Sequence, residues 1–343
     1  MDRIIVLGGK GGVGKSSISA ATAVKISDML PEKNILIISF DMAHNLSDLF
    51  STQIGNDLTK LKDNLWGIEP DPDIYAEEYT SKLIGKMKAL MKKMPIVGMI
   101  PQVEEFIDTT FTADSIPLAL KNAIFFQKIL DAEDLTQDIQ FDIIVADFPP
   151  TGNMIALLEI PEDQIKVTLK YSLEFYNSIK GAVKNVSKMF RKMFNPFGDD
   201  KERRDLAEEI VKMFEELEQR GERITQLIQD IGSLRLVSIA EKPSFEEIKR
   251  ARELTEKYIS LDGVHVNLLI PKQASQNCDF CESMRRTQQK YLGEIRQEFQ
   301  NVTVWESNRL KDEPIGIEGL RELAREIYSE KITANDLLYP QKS

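Results

Sequence analysis

What the chain lacks narrows its possible roles first. No stretch of its 343 residues approaches the ~20 consecutive apolar residues that a membrane-spanning helix needs. Positive charge is not in excess: 44 Lys and Arg stand against 55 Asp and Glu, a net charge of −11. A polyanionic nucleic-acid backbone is therefore not expected as a partner for the surface as a whole. Met1-Asp2-Arg3 runs straight into an apolar strand pattern with no signal-peptide character, so a cytoplasmic location is expected. No internal repeat or low-complexity tract stands out. Cysteine and histidine are scarce, two of each, and neither histidine lies near the cysteine pair.

What is present is dominated by one loop. Residues 8–17 read Gly-Gly-Lys-Gly-Gly-Val-Gly-Lys-Ser-Ser, after the apolar run Ile4-Ile5-Val6-Leu7 and before a helix-forming segment that begins Ser17-Ile18-Ser19-Ala20. Strand, glycine-rich loop and helix in that order form a phosphate-binding loop. The glycines let successive N–H groups turn inward around a phosphate, and the helix N-terminus adds free N–H groups and the positive end of its dipole. The expected nucleotide contacts are Gly9, Lys10, Gly11, Gly12, Val13, Gly14, Lys15, Ser16 and Ser17. Lys15 is expected on the terminal phosphates and the Ser16 hydroxyl on Mg²⁺. Lys10 is surplus to an ordinary loop of this kind. Either it is a solvated cation, or it acts in trans on a second nucleotide brought close by dimerisation, as arginine fingers do.

With 42% hydrophobic and 29% charged residues, the chain suits one large domain or two intergrown ones. Apolar runs at Ile4–Leu7, Ile35–Ser39, Ile143–Ala146, Leu234–Ile239, Val264–Ile270 and Val302–Trp305 alternate with helical patterns. This predicts an α/β fold of the P-loop NTPase kind, with a mostly parallel sheet flanked by helices. Two long helical stretches, about Ile74 to Thr112 and Leu173 to Asp230, break the rhythm and read as an inserted all-helical subdomain. The expected division is 1–73, 113–172 and 231–343 for the ATPase core, with 74–112 and 173–230 for the helical part.

Two aspartates stand at strand ends, where open α/β sheets bind ligands. Asp41 opens Asp41-Met42-Ala43-His44-Asn45-Leu46-Ser47-Asp48 and is expected to orient or polarise an attacking water. His44 serves equally well as a structural histidine. Asp147 closes an apolar strand, as the aspartate opposite the loop hydroxyl does in P-loop enzymes, and belongs with Mg²⁺. The following Pro150-Thr151-Gly152 turn is placed to sense a γ-phosphate and move after hydrolysis.

Cys278-x-x-Cys281 has the spacing of two ligands of a tetrahedral Zn²⁺. Two randomly placed cysteines would be three apart in only about one chain in 170. Half a four-ligand site in one chain implies the other half in a second, so one zinc on the axis of a symmetric homodimer is expected. A redox dithiol and an unliganded pair are the alternatives.

In the helical stretches Leu83, Ile84, Met87, Leu90, Met91 and Met94 fall on one face among lysines. Val183, Val186, Met189, Phe190, Met193, Phe194 and Phe197 repeat the arrangement. Seven of the 12 methionines lie in these stretches. Adaptable Met side chains suit a groove that accepts many apolar sequences, lined by Met87, Leu90, Met91, Met94, Met189, Phe190, Met193 and Phe194. Mutual packing of the stripes and attachment to an anionic membrane surface are the competing readings.

The loop with its early lysine, Asp41-x-Ala43-His44-Asn45-Leu46-Ser47-Asp48 and Asp147-x-x-Pro150-Thr151-Gly152 resemble the ArsA family of deviant-Walker ATPases over most of the chain. Within that family the likeness is greatest to the branch that targets tail-anchored membrane proteins. The resemblance implies a Mg²⁺-dependent ATPase chaperone. ATP would draw two subunits together around a client transmembrane helix, which is then delivered to a membrane and its receptor. It also implies that Lys10 contacts nucleotide across the dimer, that Asp41 activates water, and that Asp147 belongs to a second switch. Asn267 would recognise adenine, and Glu313-Pro314-Ile315-Gly316 would be a nucleotide-side loop. Met42, Asn153, Ala156 and Lys121 depart from the family pattern of Pro, His, Arg and a Pro-Gly-x-x-Glu segment, at positions tied to switch coupling and receptor docking. Two other functions are weighed. An arsenite-efflux ATPase calls for further cysteines and a fused double copy. A partitioning ATPase calls for a C-terminal membrane helix or basic patch, where this chain has Ile332 to Pro340.

Overall fold

The structure, a computed structural model, describes residues 1–41, 45–71, 139–158, 222–276 and 278–340, with isolated positions between them. Internal contacts divide the chain into two compact units. The first is Met1–Asp71, Leu130–Leu158 and Gln226–Ser343, and the second is Pro72–Ile129 and Glu159–Thr225. Nearly all the described residues belong to the first. The expected groove residues, Met87 to Met94 and Met189 to Phe194, lie outside the described residues, as do Met42, Ala43 and His44.

Among the described residues the first unit holds eight strands: β1 (Arg3–Gly9), β2 (Ile35–Ser39), β3 (Thr59–Lys62), β4 (Leu65–Ile68), β5 (Ile143–Asp147), β6 (Gly232–Ile239), β7 (Leu261–Leu269) and β8 (Thr303–Asn308). They form one sheet in the order β3-β4-β2-β5-β1-β6-β7-β8. Every neighbouring pair is parallel except β3 and β4, which pair antiparallel at the edge. All six strands expected from the apolar runs are present. The β3–β4 ribbon was not expected, because Thr59-Lys60-Leu61-Lys62 is polar on its solvent face and carries no apolar run.

The helices are α1 (Lys15–Met29), α2 (Asn45–Phe50), α3 (Thr151–Leu158), α4 (Lys242–Thr255), α5 (Lys272–Ser275), α6 (Asp279–Glu298), α7 (Gly316–Ile327) and α8 (Ala334–Leu338). β1, β2 and β5 are buried on both faces, which is why their sequences are continuously apolar rather than alternating. α1 lies between the sheet and α7, and most of its length is buried. Its small residues, Ser16, Ser19, Ala20, Ala21 and Ala23, let two layers approach it closely. That packing fixes α1, and with it the loop at its N-terminus.

The far end of β6 and β7 carries an interior polar cluster. Arg235 is fully buried, with Nε 3.2 Å from Asp262 and its guanidinium 4.9 Å from the Trp305 ring centre. Asp262 also pairs with Arg3 at 2.9 Å, so two cations share one carboxylate. Beside them His265 stacks on Trp305 at 4.6 Å, and Tyr328 meets it edge-on at 5.9 Å.

Candidate active site

β1, β2 and β5 run parallel and end together, so the loop after β1, Asp41 after β2 and Asp147 closing β5 meet at one edge of the sheet. Ile38 and Ser39 pair with Ala146 and Asp147, and Leu7 pairs with Asp147 on the other side. Two glycines in the loop are required by close approach. A Cβ at Gly9, where φ is 152°, would lie 2.2 Å from the Val237 carbonyl oxygen. Gly14 caps α1 in a left-handed conformation (φ 87°), and a Cβ there would lie 2.4 Å from Nδ2 of Asn267. The first intrahelical bond, Ile18 N–H to the Gly14 carbonyl at 3.0 Å, leaves the N–H groups of Lys15, Ser16 and Ser17 without helical acceptors. That is the cradle an anion needs.

Lys15 is buried and folds back over the loop, with Nζ 3.5 Å from the Lys10 carbonyl oxygen and 3.8 Å from Asp41 Oδ2. Lys10 itself is half-buried, and its side chain makes no hydrogen bond or ion pair with any described residue. Asp147 is fully buried and accepts hydrogen bonds from Ser19 at 3.1 Å, from Ser39 at 3.5 Å and from Ser16. Burial pushes its carboxyl up to about 6, against the pull of those hydroxyls and of Lys15. A carboxylate held this far from water beside the Ser16 hydroxyl is a donor set suited to a hard divalent cation. Next along the chain, Thr151 opens α3 with its Oγ1 buried and unpartnered among the described residues. Pro150 Cγ lies 3.9 Å from where a Cβ on Gly11 would be, so this second loop abuts the first. The orphaned hydroxyl and the open glycine cradle fit a triphosphate and its Mg²⁺.

Asp41 is held at its backbone, its N–H donating to Ser39 Oγ at 3.2 Å. Ser39 thereby touches both aspartates. The sequence reading missed a third acidic residue. Glu69 directly follows β4 and is 2% exposed. Its Oε1 accepts from the Leu46 N–H at 2.8 Å, and its Oε2 accepts from the Ser47 N–H at 3.2 Å and from Ser47 Oγ at 2.9 Å. A signal existed: Leu65-Trp66-Gly67-Ile68-Glu69 ends an apolar run in an acid, the same pattern that marked Asp147.

The structure brings Asn267 to the loop from behind. Its Nδ2 donates to the Val13 carbonyl at 3.0 Å, and its Oδ1 accepts from Ser307 at 2.8 Å. The adjacent Leu268 has a left-handed backbone (φ 58°). Gln288 of α6 pins that turn, with Nε2 on the Leu268 carbonyl at 3.1 Å and Oε1 on the Ile270 N–H at 2.8 Å. Glu313, Pro314 and Ile315 end the connection between β8 and α7, and Gly316, with a left-handed backbone, starts the helix.

Cys278 caps α6, its Sγ accepting from the Cys281 N–H at 3.3 Å. Hydrogen bonding from Cys281 lowers the Cys278 thiol and raises that of Cys281. Phe280, 72% exposed, and Met284 lie one helical turn apart beside them. Among the described residues no group of three or more His, Cys, Asp or Glu gathers that could hold a metal, and Cys278 and Cys281 stand there as a pair.

Known proteins resemble this chain in sequence. The family model for anion-transporting ATPases matches residues 2–329. A relative from Prosthecochloris vibrioformis, described provisionally as an arsenical pump-driving ATPase, is 30% identical over 341 residues, covering 99% of this chain and 78% of its own. One with the same description from Aquifex aeolicus is 28% identical over 327 residues, covering 94% of this chain and 98% of its own. ATPase GET3 of Debaryomyces hansenii is 28% identical over 332 residues, 94% of this chain and 88% of that one. With its loop lysine, buried strand-end aspartate and orphaned threonine in place, the chain is an ATP-hydrolysing member of the anion-transporting ATPase family.

Proposed function

We propose that this ATPase works as a homodimeric, cytoplasmic chaperone that carries the transmembrane helix of a tail-anchored protein to a membrane receptor. The observation that carries the dimer is the cysteine pair. Cys278 caps α6 and Cys281 lies in its first turn, beside exposed Phe280 and Met284, offering half of a zinc site together with an apolar contact for its other half. The second unit would hold the client in a groove lined by Met87, Leu90, Met91, Met94, Met189, Phe190, Met193 and Phe194. Among the described residues no helix is long and apolar enough to cross a membrane.

The hydrolysis follows from the residues already placed. Loop N–H groups and Lys15 neutralise the phosphates, and the Thr151 hydroxyl is free to donate to a γ-phosphate oxygen. Ser16 and Asp147 would hold Mg²⁺, which neutralises charge on the β- and γ-phosphate oxygens when bound. Asp41 accepts a hydrogen bond from the attacking water and orients it. The water oxygen bonds to the γ-phosphorus as the bond to the β–γ bridging oxygen breaks, leaving ADP and phosphate. Lys10, with no described partner in its own chain, is available to the nucleotide of the second subunit. Asn267 keeps one Nδ2 hydrogen for the base. Phosphate loss then frees the Asp41 and Pro150-Thr151-Gly152 segments, and the client is released.

The relatives described as arsenical pump-driving ATPases keep a second reading in view, an ATPase that powers metalloid efflux. Against it, this chain has two cysteines in all, both at the start of α6. Co-expression with a tail-anchored protein, followed by purification with and without ATP, separates the two. A soluble complex is expected. Its absence, together with ATPase stimulation by arsenite, would establish the efflux reading instead.

A further inference from the structure

We propose that Glu69 is a positioning residue for Asp41, fixing the far end of the short segment that carries the catalytic carboxylate. The proposal rests on the role given to Asp41 above. A buried carboxylate needs full compensation. Among the described residues Glu69 finds it in three donors from two consecutive residues, the Leu46 N–H, the Ser47 N–H and the Ser47 hydroxyl. Charge-assisted bonds of this kind are the strong ones, and here they lie at the N-terminal, positive end of α2.

The ribbon around Glu69 is tied in turn. Its own N–H donates to the Gly55 carbonyl at 2.9 Å, and the Ser47 hydroxyl, which donates its proton to Glu69, accepts from the Ile54 N–H at 3.0 Å. α2 is therefore anchored to β4 rather than resting on the sheet alone. Only residues 42–44 separate Asp41 from the start of α2 at Asn45. From Asp41 to Asn45 the chain spans at most about 14 Å, so an anchored α2 limits how far Asp41 can move. Nearer to it, Ser39 holds the Asp41 N–H at 3.2 Å and Lys15 Nζ lies 3.8 Å from its Oδ2. Glu69 acts on the far end, through α2. A misplacement near 1 Å of a group that orients water costs up to about 100-fold in rate, so loosening α2 is expected to be felt at Asp41.

Single-turnover hydrolysis by the full-length protein tests this, with Glu69→Ala, Glu69→Gln, Asp41→Asn and the double variants compared. Glu69→Ala is expected to lower the rate at saturating MgATP about tenfold or more, with the dissociation constant for ATP changed by less than about threefold. Glu69→Gln keeps one acceptor oxygen and is expected to recover most of the loss. The deciding comparison is the Asp41→Asn background, in which a residue acting through Asp41 has nothing left to position. There Glu69→Ala should cost less than about twofold. An equal loss in both backgrounds, or a fall in ATP affinity that accounts for the loss in rate, makes Glu69 a fold element only and overturns the proposal. If the alanine variant does not fold, the same comparison is read on Glu69→Gln, with a two- to fivefold loss expected, on the order of a single weakened hydrogen bond. Wild-type turnover by Asp41→Asn alone removes Asp41 from the chemistry, and Glu69 with it. A slow Asp41→Asn with an equal further loss from Glu69→Ala in both backgrounds overturns the Glu69 proposal and leaves the Asp41 reading standing.

Discussion

Asn267 occupies the space that a side chain on Gly14 would need: a Cβ on Gly14 would lie 2.4 Å from the Asn267 Nδ2, which itself donates to Val13 at 3.0 Å. The carboxamide is thus a strut against the back of the phosphate loop, held from β8 by Ser307 at 2.8 Å. Two strands that contribute no phosphate contact set the loop's position.

Gly14→Ala tests that relationship. It adds a methyl against the amide nitrogen at a position whose φ of 87° already disfavours an L side chain. A loss of roughly 2 kcal/mol in stability is expected, with ATP binding weakened by about tenfold or more, because the loop must shift to relieve the contact. Thermal unfolding and nucleotide titration measure the two. Unchanged binding in the variant would show that the strut is not what sets the loop.

Asp147→Asn should separate stability from function. The carboxyl is fully buried and pushed from 3.8 up to about 6. Above pH 6 the folded protein therefore holds a charge that the unfolded chain holds more cheaply, a cost on the order of 3 kcal/mol without Mg²⁺. Asparagine keeps an acceptor for the serine hydroxyls and removes that charge. The nucleotide-free variant is expected to melt at a higher temperature than wild type at pH 7.5, while turnover falls by about 100-fold or more. A lower melting temperature would mean that the serine and lysine contacts outweigh the burial penalty.

How much of this was legible beforehand depended on the range of the interaction. The strand-end aspartates and the glycine loop were readable, because each is marked by its immediate neighbours. Glu69, Ser19 and Ser39 were not singled out, since each acts only through a partner that folding brings near; Ser19 and Asp147 are 128 residues apart. Arg235 sits inside the apolar run Leu234-Arg235-Leu236 and reads locally as a solvent-facing residue, yet it is fully buried against Asp262 and Trp305. Asn267 was linked to the nucleotide by family likeness alone. Its bracing of Val13 could not come from a local pattern, because the two residues are 254 apart.

His265 predicts an acid limit. It lies fully buried between Trp305 and Tyr328, and neither ring nitrogen has a partner among the described residues. Burial, helped by the Arg235 charge, holds it well below its ordinary value of 6.5. The unfolded chain therefore takes up a proton at pH 6.5 that the folded protein refuses. Stability from this group is complete above pH 6.5 and falls as pH drops below it, by up to about 1.4 kcal/mol per pH unit. Asp147, with its raised carboxyl, works in the opposite sense between pH 6 and 3.8, so the wild-type curve alone mixes the two. His265→Phe keeps the stacking and removes the proton. Its unfolding free energy relative to wild type should be flat above pH 6.5 and rise as pH falls to 5. A difference that stays constant across that range would show that His265 is protonated in the folded protein too.

The cysteine pair predicts a stoichiometry that no single-chain site can give. Two thiolates at the start of α6 fill half of a tetrahedral zinc shell, and a two-fold axis supplies the rest, so purified protein should contain near half a zinc per chain. Phe280 at 72% exposure would be covered by the same contact. Cys278→Ser with Cys281→Ser, or prolonged chelation, is then expected to convert dimer to monomer in sedimentation. The isolated chain should retain MgATP affinity, because none of the loop contacts described above involves α6 directly. Hydrolysis should fall as the dimer is lost if Lys10 acts across the interface, and Lys10→Ala in the zinc-loaded dimer should reproduce that fall without dissociating it. One zinc per chain would point to ligands from outside the described residues. A zinc-free dimer that survives both substitutions would place the interface on Phe280 and its surroundings, with the cysteines left to act as a dithiol.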